Sequence, residues 1–274
     1  MSFIRTVFAG IAVAASLAAP ALAADRAKIA AFMEVTGFDV ALDSLRLSAG
    51  QAPSMLGLSE ENFGADWTRL ADEVFASEGL RSDALDILEQ TMDDDMLNHA
   101  ADFYASDLGQ RLVEAENAAH MDDSAESAMA GEEIAAELIE AESPKIQYFR
   151  DMSSAIGSIE NSIRSITEVQ VRFLMAAQGA GLVDTEWSEE ELRAVLLSRA
   201  AEMEQAMIIG SVTNAAFTYR DFTDEEMLAY LEALREPLMQ RVYELMNAVQ
   251  FQLQADRFET LAARMVDLYP QQDI

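Results

Sequence analysis

One stripe of apolar residues constrains this chain more than any other feature. Met227, Leu231, Leu234, Leu238, Val242, Leu245 and Val249 follow one another at steps of 4, 3, 4, 4, 3 and 4. That spacing puts all seven on one face of an α-helix and excludes a strand, whose faces alternate every second residue. No run of β-branched alternation occurs, and the hairpin dipeptides Asn-Gly and Asp-Gly are absent. The spacing predicts an all-α fold.

Helix starts follow one grammar. Thr223 and Glu226 form a capping box, in which the hydroxyl takes the N–H three residues on and the carboxylate reaches back; Phe222 and Met227 flank it as a hydrophobic staple. Ser188 and Glu191 repeat the box, with Trp187 and Leu192 as the staple. Ser59 keeps the cap but has Asn62 at the reciprocal position, and Asp93 caps with further acids behind it. Gly179, Gly181 and Pro270 mark helix ends.

An offset of 130 residues lays Met92–Ala115 over Phe222–Leu245 without a gap. Asp94 meets Asp224, Leu108 meets Leu238, Gln110 meets Gln240, Arg111 meets Arg241 and Glu114 meets Glu244. The expected organisation is a signal peptide at 1–23, a first helical unit at 24–142 and a related second unit at 143–274. The segment Met121–Glu142 is rich in acids and in alanine, both good helix companions, with only Gly131 to weaken it. It predicts an acidic helix closing the first unit, after which Ser143-Pro144 opens the second.

The run Phe222-Thr223-Asp224-Glu225-Glu226-Met227 through Pro237-Leu238-Met239-Gln240-Arg241 resembles the signature of the bacterial domain-of-unknown-function 2059 family. The first unit carries the other half of that signature in Phe103-Tyr104-Ala105-Ser106-Asp107-Leu108-Gly109-Gln110-Arg111. Asp107 stands where the family has Pro, and Met239 where it has Gly, so the chain resembles two degenerate copies. The resemblance implies an exported helical protein and no assigned activity. The motif itself reads as corner chemistry. Pro237 lacks an amide donor and opens or kinks a helix, Ser106 caps one, and Gly109 permits close backbone approach. Phe103 and Tyr104 pack into the corner.

Met1–Ala24 has the form of a bacterial export signal. Arg5 is its only charge, Val7–Leu17 is an apolar run, and Ala21-Leu22-Ala23 suits a signal peptidase. No later stretch is long and apolar enough to span a bilayer. There is no cysteine, so disulfides, thiolate chemistry and lipid attachment at cysteine are excluded. The expectation is a free periplasmic or secreted protein.

Asp plus Glu number 49 against 18 Lys plus Arg, a net charge of −31 that opposes nucleic-acid binding. Only Lys28 and Lys145 are lysines, so the acidity reads foremost as a habitat or genome bias, with a docking face for a basic partner as the alternative. Two pairs at i, i+4 place a carboxylate beside an imidazole: Asp95 with His99, and Glu116 with His120. Each reads as a surface ion pair before a metal site. Asp93–Asp95 and Asp122-Asp123 lack an EF-hand loop. No nucleophile elbow or phosphate loop is present. The fifteen methionines read as core filling. No catalytic, cofactor-binding or metal residue is assigned and no cofactor is expected. The function these features favour is non-enzymatic: a binding, chaperone-like or envelope scaffold protein whose partner is another envelope protein or itself. The alternatives are an envelope hydrolase and a small-ligand or metal carrier.

Overall fold

In a computed structural model of the protein, residues 25–57, 65–183 and 186–268 are described. The export segment Met1–Ala24, the Ser59 helix start and Pro270 lie outside them. The first half runs through α1 (Arg26–Val35), the short turns α2 (Phe38–Asp43), α3 (Leu45–Ser48) and α4 (Ala52–Met55), then α5 (Ala65–Val74) and α6 (Ser77–Thr91). A corner follows, α7 (Asp94–Tyr104) and α8 (Asp107–His120), and then α9 (Ala125–Glu140). The second half holds α10 (Lys145–Ile156), α11 (Ile159–Gly179), α12 (Glu189–Leu197) and α13 (Ala200–Thr218). It ends in a second corner, α14 (Asp224–Leu234) and α15 (Pro237–Met265). The fold is all-α, and among the described residues no strand occurs.

The caps at Asp93, Ser106, Ser188 and Thr223 form as the sequence predicts. Both capping boxes close, Thr223 with Glu226 and Ser188 with Glu191. Asp93 accepts from the Met96 N–H at 2.8 Å, and Ser106 from the Gly109 N–H at 3.1 Å. Gly181, at φ 76°, ends α11, with the Leu182 N–H on the Ala177 carbonyl. The same turn ends α9, but there Glu142 takes the left-handed φ of 52° that glycine usually fills. Helix α10 then starts at Lys145, whose N–H donates to Ser143 Oγ at 3.3 Å.

Helix α15 is the spine, 29 residues and about 44 Å long at the α-helical rise. It packs along α11 in its own half and against α5, α6 and α7 of the other. A single apolar cluster therefore runs from Ile29 to Met265. At its centre Phe258 meets the edges of Phe75 and Phe173, with centroids 5.7 and 5.8 Å apart.

The acidic helix α9 lies along α13 of the second half. The contact depends on Gly131: a Cβ there would stand 2.5 Å from the Thr213 carbonyl oxygen. The residue that weakens this helix by propensity is thus where two backbones meet.

The corners share their bounds. Asp94–Tyr104 and Asp224–Leu234 are both 11 residues long, and α8 and α15 begin at Asp107 and Pro237; each boundary is displaced by 130. The corners also exchange arginines. Arg111 on α8 pairs with Glu226 at the start of α14, and Arg241 on α15 pairs with Asp93 at the start of α7. Gly109 lets α8 leave α7 closely, since a Cβ would sit 2.3 Å from the Phe103 carbonyl oxygen. At the matching place in the second corner Met239 is fully buried. No helix of the described residues is long and apolar enough to cross a membrane.

Candidate functional site

A cavity of about 330 Å³ opens among α2, α8, α10, α13, α14 and α15. Two of these helices line it with matched positions. From α8 come Glu116, Asn117 and His120; from α15 come Met246, Asn247 and Gln250. Each differs from its counterpart by 130, so the cavity lies between equivalent faces of the two corners. Asparagine recurs at one matched position. At another, a carboxylate faces the cavity on one helix and a thioether on the other.

Glu116 has this place because of its register on α8. Gly109, Leu112 and Val113 form the buried face, and Glu116 continues that stripe toward the interior. Its Oε1 accepts from the Tyr219 hydroxyl at 2.6 Å and from the Tyr230 hydroxyl at 2.7 Å. Tyr230 in turn lies 3.1 Å from the Tyr243 hydroxyl and 3.2 Å from that of Tyr104, and Tyr104 and Tyr243 are themselves hydrogen-bonded. The protons can be counted. Tyr219 and Tyr230 spend theirs on Glu116, so of Tyr104 and Tyr243 one donates to the other and the second donates to Tyr230. The four phenols form one donor system directed at a single carboxylate oxygen.

Rings hold the phenols in place. Phe103 stacks on Tyr230 with centroids 5.8 Å apart and planes 7° from parallel. Tyr219 meets Tyr230 edge-on and also abuts Phe149 and Phe222. Phe103 and Tyr104 thus pack into the corner as the sequence implies, and Tyr104 also reaches the polar cluster.

Burial dominates the electrostatics. Desolvation lifts Glu116 above the ordinary carboxylate range, partly opposed by the hydrogen bonds from Tyr219 and Tyr230. It pushes all four tyrosines up, so each stays a neutral donor at physiological pH. Desolvation also holds His120 below its usual value, which leaves the imidazole neutral.

The two carboxylate–imidazole pairs expected from i, i+4 spacing do not form: among the described residues neither histidine makes an ion pair. Spacing puts Glu116 and His120 on one face, but the phenols below outcompete the imidazole one turn above. Of the acids at 93–95 and 122–123, three serve caps and pairs. Asp93 caps α7, Asp94 pairs with Lys28 at 3.5 Å, and Asp122 accepts from the Ser124 N–H at 2.9 Å. Among the described residues no three His, Asp or Glu side chains are grouped to hold a metal ion.

Glu116 was prominent in the sequence for its histidine neighbour; the structure shows a different partnership. Tyr219, Tyr230 and Tyr243 carried no local signal. The available clue was a carboxylate falling on the apolar stripe of α8.

Residues 78–140 match the model of a family described as an uncharacterized protein conserved in bacteria, DUF2059. The chain resembles that family. The DUF2059 match spans α6 to α9, and so includes the first corner with Gly109, Arg111 and Glu116. No curated protein and no solved structure matches the chain.

Proposed function

We propose that this chain is an exported, non-enzymatic binding protein that takes a small amphipathic molecule into the cavity between its two corners. The carrying observation is the lining. Phe149, Met152, Leu234 and Met246 give apolar surface, while Glu116, Asn117, Asn214 and Asn247 give a few fixed polar groups. That mixture, in a cavity of this size, is how small-molecule sites are built. The cavity falls between matched faces, so the reading includes an origin by duplication: one corner copied, then differentiated at the cavity wall. Binding is favoured over hydrolysis because, among the described residues, no histidine hydrogen-bonds a serine and so none is poised to activate one. Export rests on the form of Met1–Ala24, and a periplasmic or secreted location follows from it.

The test is recovery of a ligand. The protein, purified from the periplasm with its mature N-terminus at Ala24, is compared by native mass spectrometry with Asn214→Trp, which fills the cavity. A small molecule carried by the wild type and absent from Asn214→Trp supports the reading. Identical spectra, with no bound mass in either, overturn it.

A further inference from the structure

The cavity has one carboxylate and no cation. Among its lining residues there is neither Lys nor Arg, although 17 ion pairs join acids to arginines or lysines elsewhere among the described residues. Glu116 accepts both phenol hydrogen bonds at Oε1, and among the described residues no donor reaches Oε2. A half-buried carboxylate without a counter-charge is costly. Here the surrounding groups are arranged as donors, which favours the anion and leaves its charge unneutralised. Asn117 is incomplete too: its Oδ1 is buried against Gly37 and has no partner among the described residues. Across the cavity, the position matching Glu116 is the apolar Met246.

We propose that the ligand is an organic amine cation, whose ammonium pairs with Glu116 Oε2 while its apolar body lies against Met246, Met152 and Phe149. This rests on the reading of the cavity as a binding site and names its ligand class. The ammonium supplies the positive charge that the lining lacks, and aromatic rings beside it add cation–π attraction. Tyr219 and Tyr230 act as positioning residues, fixing the carboxylate from below. Burial raises Glu116 when the site is empty, and a bound cation favours its ionised form. The other titratable groups facing Glu116 are Tyr104, Tyr219, Tyr230 and Tyr243, which stay protonated, and His120, which stays neutral.

Calorimetric titration at pH 7.5 tests this with three probes of one shape: phenethylamine, phenethyl alcohol and 3-phenylpropionate. Salt near 0.15 M shortens the reach of the protein's general negative charge to about 8 Å, so the local carboxylate decides the outcome. The amine is expected to bind at least about tenfold tighter than either analogue, a difference of about 1.4 kcal/mol. Glu116→Gln keeps an acceptor for both phenols and removes the charge, and is expected to erase the preference. Equal binding of all three probes, or tighter binding of the alcohol or the acid, overturns the amine assignment and leaves the binding-site reading standing. An amine preference that persists in Glu116→Gln also overturns it, assigning the selectivity to the general field. Absence of binding by all three overturns it as well, while the cavity reading is judged by whether a ligand co-purifies. The wild-type comparison holds whether or not Glu116→Gln folds.

Discussion

The two corners have the same bounds and different interiors. Each opens with a side chain on its first-turn amides, Asp93 in one and Thr223 in the other, and each turns through two residues into a second helix. Each lends an arginine to the other's start. They differ at the crossing, where Gly109 matches Met239 in the sequence offset, and at the cavity, where Glu116 matches Met246. What they share is the frame that lets two helices meet and two corners pair. What they do not share fixes how closely each corner closes and which side of the cavity is polar.

The largest effects are expected at the crossing. Met239→Ala empties a fully buried site on the spine and is expected to lower stability by about 3 kcal/mol. Gly109→Ala makes the opposite error. Its Cβ would meet backbone atoms of Phe103 and Tyr104 at 2.3 to 2.8 Å, and backbone moves less readily than a side chain. A cost of about 2 kcal/mol or more is expected. Urea unfolding of both variants checks the pair. If Gly109→Ala is neutral, the first corner is not closed by its glycine and the contrast at the crossing fails.

The cavity contrast has a pH signature. Burial raises Glu116, so the folded chain holds this proton more tightly than the unfolded chain does. Its contribution is therefore favourable at low pH and is lost as pH rises through the folded titration. Glu116→Gln is expected to be more stable than the wild type at pH 7, with the gap shrinking toward about pH 4, the ordinary glutamate range. Met246→Gln, at the matched position, is expected to show no such pH-dependent gap. Denaturation of the three proteins between these pH values makes the comparison. A constant gap for Glu116→Gln would mean that Glu116 is not the titrating group.

The frame was legible in the sequence because its signals are local. A 3–4 stripe, a capping box and a proline at the start of a helix each act within a turn or two, and the 130-residue offset can be counted by eye. The cavity was not legible, because it is assembled from afar. Tyr219 and Tyr230 lie 103 and 114 residues from the carboxylate they serve. The i, i+4 rule correctly placed Glu116 beside His120 on one face. It could not show that phenols at the end of α13 and on α14 would take the carboxylate. Gly131 misled in a related way: propensity scores a helix in isolation, and this glycine is required by the neighbour α13. The part of the site that the sequence did offer was Glu116 on an apolar stripe, opposite Met246 at the same offset.

The smallest expected effect separates the two exchanged arginines. Both arginines are exposed, and pairs at such a surface contribute about 0–1 kcal/mol. Arg111 has a second contact, its guanidinium lying 4.9 Å from the centre of the Phe222 ring, and Phe222 is the staple residue before the Thr223 cap. Among the described residues Arg241 has only its 3.4 Å approach to Asp93. Arg111→Ala is therefore expected to cost about 1 kcal/mol, through the ring as well as the charge. Arg241→Ala is expected to cost no more than about 0.5 kcal/mol. Raising the salt concentration should weaken the charge contribution of both, yet leave most of the Arg111 effect, because its packing on Phe222 is not screened. Equal costs at high salt would show that the two corners grip one another alike, and that the ring beneath Arg111 adds nothing to the frame they share.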